Sequence, residues 1–387
     1  MTTTALVVAA TLPMGPAQTT GTTTTPPARA TAALVMSELR PPDGFVSTFG
    51  SLLSDAGHVV GTAGAPRGEK YVPVRWEPDG TPTRLVGLGD DWMATKAVND
   101  DGVISGAANT PDGKQHAVTW DSSGTAKRLQ EPEGYLQSVA EDINNQHVAV
   151  GTTSLYSTTW AVRWDRDGKP TFLEKPPNSV GSLATRINDS GEIIGSARFL
   201  GTSSTSAVRW DASGKVSYLG ASQFPSPANA TDINNRGTVA GDTYDPVAGG
   251  YRAARALRCC VFRVMPGAAD GSAAYDVNNR DVFLGATKIG DRIENVRWDD
   301  AGGMVVMKPV PGTSSRNVYA LNDAGLAVGV SGGHAAVWDA GGNATGLPDE
   351  KPGRVLKDSM ALTINNAGQV LGRADYWDVS PRAIVWR

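Results

Sequence analysis

An Asn followed seven positions later by a Gly recurs along the chain, and it constrains the fold more than any other feature. The pairs are Asn99 with Gly106, Asn144 with Gly151, Asn188 with Gly195, Asn234 with Gly241, Asn278 with Gly285, Asn322 with Gly329 and Asn365 with Gly372. Ser54 with Gly61 is a weaker eighth copy, and successive starts lie 45, 45, 44, 46, 44, 44 and 43 residues apart. A period this regular means one structural unit repeated. The repeat overrides the two or three domains that 387 residues would suggest by length, because each unit of an array buries its face against the next.

Each unit reads as four short strands. At Ala230 a β-prone stretch meets Asn234-Asn235-Arg236-Gly237 and resumes as Thr238-Val239-Ala240-Gly241. Asn and Gly tolerate the positive φ of a tight turn, so this is strand, turn, strand. A third strand carries Val and Trp two apart, hence on one face: Val74 and Trp76, Val162 and Trp164, Val208 and Trp210, Val296 and Trp298. Trp120, Trp338 and Trp386 take the same slot, and in the fifth copy Cys259 stands where Trp is expected. A second turn such as Asp211-Ala212-Ser213-Gly214 then leads to a fourth strand near Val216 to Leu219.

Four-stranded units of this length are propeller blades, and a closed ring of them leaves only short protected edges. The expected fold is therefore all-β, an eight-bladed β-propeller with the indoles wedged between blades. The last copy stops at Trp386-Arg387 without a fourth strand. The segment from Ala33 to Leu39 resembles the fourth strands elsewhere, so it is expected to complete the final blade and seal the ring.

Composition agrees: 45 Gly and 24 Pro suit many short strands and tight turns. A net charge of -4 gives no basic field for a nucleic-acid backbone or anionic lipid. No nucleic-acid partner and no membrane span are expected, since no segment approaches the ~20 apolar residues that a spanning helix needs. Ala5 to Leu12 is a short apolar run, and Thr, Pro and Ala dominate from Pro13 to Thr31. Residues 1–31 read as an export signal and linker, and 32–387 as one propeller domain outside the cytoplasm. The missing basic n-region is the departure, because no Lys or Arg precedes Arg29.

The letters Ile143-Asn144-Asn145, Ile187-Asn188-Asp189-Ser190-Gly191 and Ile364-Asn365-Asn366-Ala367-Gly368, with His116-Ala117-Val118-Thr119-Trp120 and His334-Ala335-Ala336-Val337-Trp338, resemble the HAF repeat of extracellular bacterial proteins. The resemblance covers about residues 33–387. It implies a propeller and an extracellular location and implies no chemistry. Only two copies keep the His, and none has Phe after His-Ala. The Trp-Asp-x-x-Gly turn also resembles WD40 blades, whose Gly-His pair is absent.

Both turn types should open on one rim. Binding residues are expected on the other, where the loops vary. The candidates are Asp90, Asp91 and Trp92; Tyr135 with Glu131 and Glu133; Tyr156; Phe224; Tyr244 with Asp245; Tyr251; and Tyr376 with Asp375 and Trp377. Aromatic platforms beside carboxylates suit sugar rings or other amphipathic ligands. The plainer reading of each is a loop anchor or a solvated surface group.

Other chemistry is weakly marked. His116 and His334 are repeat letters just before the Trp strand, and four histidines without matched spacing give no zinc signature. Asp165-Arg166-Asp167-Gly168 begins like a calcium loop but lacks the later Glu, so no metal and no cofactor is expected. Adjacent Cys259 and Cys260 admit a vicinal disulfide, reactive thiols or a degenerate blade. Two functions stay open: a scaffold binding a glycan, small molecule or protein, and an enzyme, a hydrolase, lyase or natural-product tailoring catalyst, at the mouth of the channel.

Overall fold

A computed structural model describes residues 34–387 except 69, 202–204, 221–226, 259–260, 300 and 378. The leader, Phe224, Cys259 and Cys260 lie outside the described residues. The fold is an eight-bladed β-propeller of four-stranded antiparallel sheets. Seven blades are continuous: blade 1 spans 47–84, blade 2 93–128, blade 3 137–172, blade 4 179–218, blade 5 228–264, blade 6 273–306 and blade 7 316–346. Blade 8 joins 356–386 to Met36–Glu38.

That last pairing is the expected seal. Met36 pairs with Trp386, Ser37 with Val385 and Glu38 with Ile384. Val35 and Arg387 exchange backbone hydrogen bonds at one end, and the Leu39 amide donates to the Ala383 carbonyl at the other. Lys351 Nζ lies 2.7 Å from the Glu38 carboxylate.

The first strand of each blade is innermost, as the bonds between successive first strands require. Every one carries a bulge three residues before the repeat Asn or Ser, as at Glu141 between Ala140 and Asp142. The bulge explains the repeat Gly. A β-carbon on Gly195 would lie 1.8 Å from the Leu183 carbonyl oxygen, and on Gly151 2.0 Å from that of Val139. In the turn itself it is the fourth residue that needs positive φ. Gly237 has φ +79°, and His147 and Asp281 hold the same conformation without being Gly. The Asn is not at positive φ, so its repetition has another cause.

All seven slot tryptophans are fully buried. Each indole N–H donates across to the preceding blade, to the carbonyl one residue beyond a buried Leu or Met. Trp164 reaches the Gln130 oxygen at 2.7 Å, Trp210 that of Glu174 at 2.8 Å and Trp386 that of Pro348 at 2.6 Å. A buried aromatic that also satisfies a carbonyl packs and fixes the angle between sheets at once.

Blade 5 corrects the sequence reading. Val239 pairs with Ala256, as Ile193 pairs with Trp210, so the slot belongs to Ala256 and not to Cys259. Phe262 fills the space left by the small residue. Its ring would meet a β-carbon on Gly241 at 2.9 Å, as Trp120 would one on Gly106 at 3.0 Å. Its amide donates 2.7 Å to the Leu219 carbonyl.

Candidate functional site

The strand order puts the Asn and Asp turns on one rim and the second-to-third hairpins and blade connections on the other. The turn rim is locked by its own side chains. Each repeat Asn accepts its own turn's amide, as Val148 N to Asn144 Oδ1 at 2.9 Å. Its Nδ2 then donates to the carbonyl of the next blade's repeat residue. This chain runs from Asn99 through Asn144, Asn188, Asn234, Asn278, Asn322 and Asn365 to Ser54, at 2.7 to 3.1 Å. Ser54 has no amide, so the link from blade 1 to blade 2 is missing.

The following residues form a second, more exposed circuit. Asp100 N donates to Asn145 Oδ1, Asn145 N to Asp189, Asp189 N to Asn235, and so on to Asn366 N and Asp55. A cavity of about 220 Å³ opens inside it, lined by Asp55, Asn235, Asn279, Asp323 and Asn366 among others. The Asp turns are likewise occupied: Asp165 Oδ1 accepts the Asp167 and Lys169 amides.

Behind this annulus, two residues before the repeat Asn, Asp142, Asp232 and Asp276 face inward with Arg186. Each Asp carboxylate accepts an amide of the next blade: Ile187 at 2.9 Å, Val277 at 3.1 Å and Leu321 at 2.8 Å. Water still reaches these carboxyls, but protein surrounds them. Burial pushes Asp142 up to about 6 despite Arg186. Asp276 is raised well above the usual carboxylate range by burial and then by the charge of Asp232. Sequence reasoning selected no carboxylate pair; the signal was Asp recurring at one register position in blades 3, 5 and 6.

The other rim is built differently. Tyr156, Leu200, Val247, Ile293 and Trp377, exposed by 97%, 85%, 97%, 77% and 70%, stand at or beside the hairpin tips of blades 3, 4, 5, 6 and 8. Leu200, Val247 and Ile293 were missed by sequence reasoning, which looked for aromatics.

The expected site residues are spread over this rim. Trp92 is partly exposed, its amide bonded to Asp90, while Asp91 pairs with Lys70 at 3.1 Å. Tyr135 packs edge-on against Phe172 at 5.2 Å. Tyr244 and Tyr251 are cross-strand partners, 5.6 Å apart, and Asp245 faces Arg252. Trp377 is open under Lys357, and Asp375 is held by Arg373. Tyr376 is buried beneath Arg354, and burial pushes its hydroxyl up to about 12. The structure joins Tyr244 to Tyr251 and leaves the other groups on separate blades.

Glu131 has a partner role. It accepts from Ser138 Oγ at 3.0 Å and meets His116 Nδ1 at 2.6 Å, while Ser138 also accepts the Ala117 amide. Asp349, His334, Ser359 and Ala335 repeat the pattern. The His-Ala letters thus tie one blade to the next. Among the described residues, no cluster of three or more His, Cys, Asp or Glu is arranged to hold a metal ion. No described helix is long and apolar enough to cross a membrane.

These features define an eight-bladed β-propeller with one locked polar rim and one variable apolar rim. No protein-family model matches the sequence, and no curated protein does. Solved structures share the fold. A prolyl oligopeptidase B from Galerina marginata is 12% identical at TM-score 0.54, over 86% of this chain and 54% of that one. A prolyl endopeptidase is 14% identical at TM-score 0.53, over 87% and 55%. TolB from Acinetobacter baumannii is 15% identical at TM-score 0.40, over 67% and 63%. The chain matches little more than half the length of the peptidases, and at this identity the likeness concerns the fold alone.

Proposed function

We propose that this propeller is an exported binding scaffold that presents its variable-loop rim to a ligand or partner. The observation that carries the reading is the set of apolar tips at Tyr156, Leu200, Val247, Ile293 and Trp377, mounted on a frame whose opposite rim spends its polar groups on itself. Varied loops on a rigid ring are where recognition accumulates, and large exposed apolar side chains gain most when a partner covers them. Export is supported by the leader composition and by the likeness to the extracellular HAF repeat. The test is a screen of glycans, metabolites and peptides on the full chain, repeated with Tyr156→Ala, Trp92→Ala and Trp377→Ala. Loss of a hit in one or more variants with an unchanged melting temperature is expected; hits retained in all three overturn the assignment.

The channel carboxyls favour a second reading, acid–base catalysis, because Asp142, Asp232 and Asp276 hold one register position on the inner strands and burial raises Asp276 above the usual carboxylate range. A hydrolase and lyase substrate panel separates the two. Turnover lost in Asp276→Asn supports catalysis, and a wild-type chain inert across the panel counts against it.

A further inference from the structure

We infer that a cleft between blades 3 and 4 on the variable-loop rim binds a hydroxyl-rich carboxylate, a uronic acid or a glycan unit bearing one, with Arg198 as its carboxylate-binding group. The inference rests on that rim being the binding face. The cleft measures about 150 Å³, and five hydroxyl-bearing residues, Ser157, Thr159, Ser182, Ser196 and Thr205, line it beside Gly181, Leu183 and Arg198.

Local structure explains why they meet. Ser157 follows Tyr156 at the blade 3 tip, where Tyr156 takes φ +52° to make the turn. Thr159 pairs back across that hairpin to Ser154. Ser182 Oγ accepts the Ala161 amide at 3.1 Å, which leaves its proton free to donate. The innermost strand of blade 4 carries a second bulge, between Ser179 and Gly181, and this brings Gly181 opposite Arg198. Gly181 keeps the floor open: a β-carbon there would lie 3.1 Å from the Thr159 carbonyl oxygen and 3.7 Å from Arg198 Nη2.

Arg198 is exposed and holds no ion pair among the described residues. Arg75, Arg209, Arg252 and Arg373 each pair with a carboxylate of the chain, whereas no acidic residue among the described residues pairs with Arg198. An exposed guanidinium beside a cleft without an acid is a fork for an incoming carboxylate. Hydroxyl side chains both donate and accept, which suits sugar hydroxyls better than a peptide terminus. Leu183 in the wall and Tyr156 at the lip supply the apolar face that a sugar ring stacks on. The volume suits one ring.

The test is calorimetric titration of the full chain with D-glucuronate, D-glucose and acetate. Glucuronate should bind at least about tenfold more tightly than glucose or acetate. Arg198→Gln should remove that preference and Arg198→Lys should restore part of it, with melting temperatures unchanged. Glucose binding as tightly as glucuronate, no glucuronate binding by the wild-type chain, or full binding by Arg198→Gln each overturn the inference. If screen hits depend on Trp377 or Trp92 while glucuronate does not bind, this site fails and the scaffold reading stands. If no hit depends on any tip but glucuronate binds through Arg198, the scaffold reading fails at its tips while the cleft stands.

Discussion

The repeat Asn spends both ends of its amide, Oδ1 on its own turn and Nδ2 on the next blade, so its removal leaves a turn amide without its side-chain acceptor and takes one of two donors from the next blade's carbonyl. Asn322→Ala strips the Asn365 carbonyl of its side-chain donor and should cost about 2–3 kcal/mol in urea unfolding. Ser54→Asn supplies the missing link to blade 2 and should gain about 1 kcal/mol; no gain would show that a second donor on the Asn99 carbonyl, which already accepts the Gly102 amide, adds nothing. The sequence made the Asn visible and its reason invisible. A turn former and an inter-blade link use the same letter, and only the partner 43 to 46 residues on tells them apart. Asp276 brings a pH dependence. Its folded pKa is raised, so protonation favours the fold; that contribution is full below the unfolded value of 3.8 and is lost as pH rises through the folded value. Asp142, raised to about 6, acts in the same direction between about pH 4 and pH 6. The wild-type melting temperature should therefore fall across that window. Asp276→Asn keeps an acceptor for the Leu321 amide and offers Asp232 a donor, so its fall should be shallower. Parallel curves would mean that Asp276 does not carry the pH dependence.

At the level of strands and blades, the indoles were legible because their spacing is that of a strand face, and closure was legible because one copy lacks a strand. Blade 5 was not legible. Its slot holds Ala256, and the aromatic that replaces the indole arrives six residues later, so no Trp marked the position and the sequence reading placed it at Cys259. Phe262→Ala should empty that space and cost about 3–5 kcal/mol, as for a slot tryptophan. A cost under ~1 kcal/mol would mean the blade closes without it. Removing residues 34–40 deletes the strand paired to Ile384–Trp386, the carbonyl that takes the Trp76 indole and the Glu38 partner of Lys351. A large drop in melting temperature is expected, and an unchanged one would refute the seal.

The ring as a whole divides its labour between two rims, and this decided how much of the site could be read beforehand. Tyr156 and Trp377 were found because aromatics in loops stand out; Val247 and Ile293 were not, since a lone aliphatic near a tip looks like any strand residue until its exposure is known. The cleft at Arg198 needs two neighbouring blades and a bulge to exist, none of which has a sequence signature. The measurement that tests this division most directly is amide hydrogen exchange by mass spectrometry on the full chain. The amides of Val103, Val148, Glu192, Thr238, Val282, Leu326 and Gln369, each bonded to a repeat Asn, should be strongly protected, while the hairpin tips at Tyr156, Val247 and Trp377 exchange quickly. Fast exchange along the Asn turns, or protection equal on both rims, would contradict a locked rim opposite a free one.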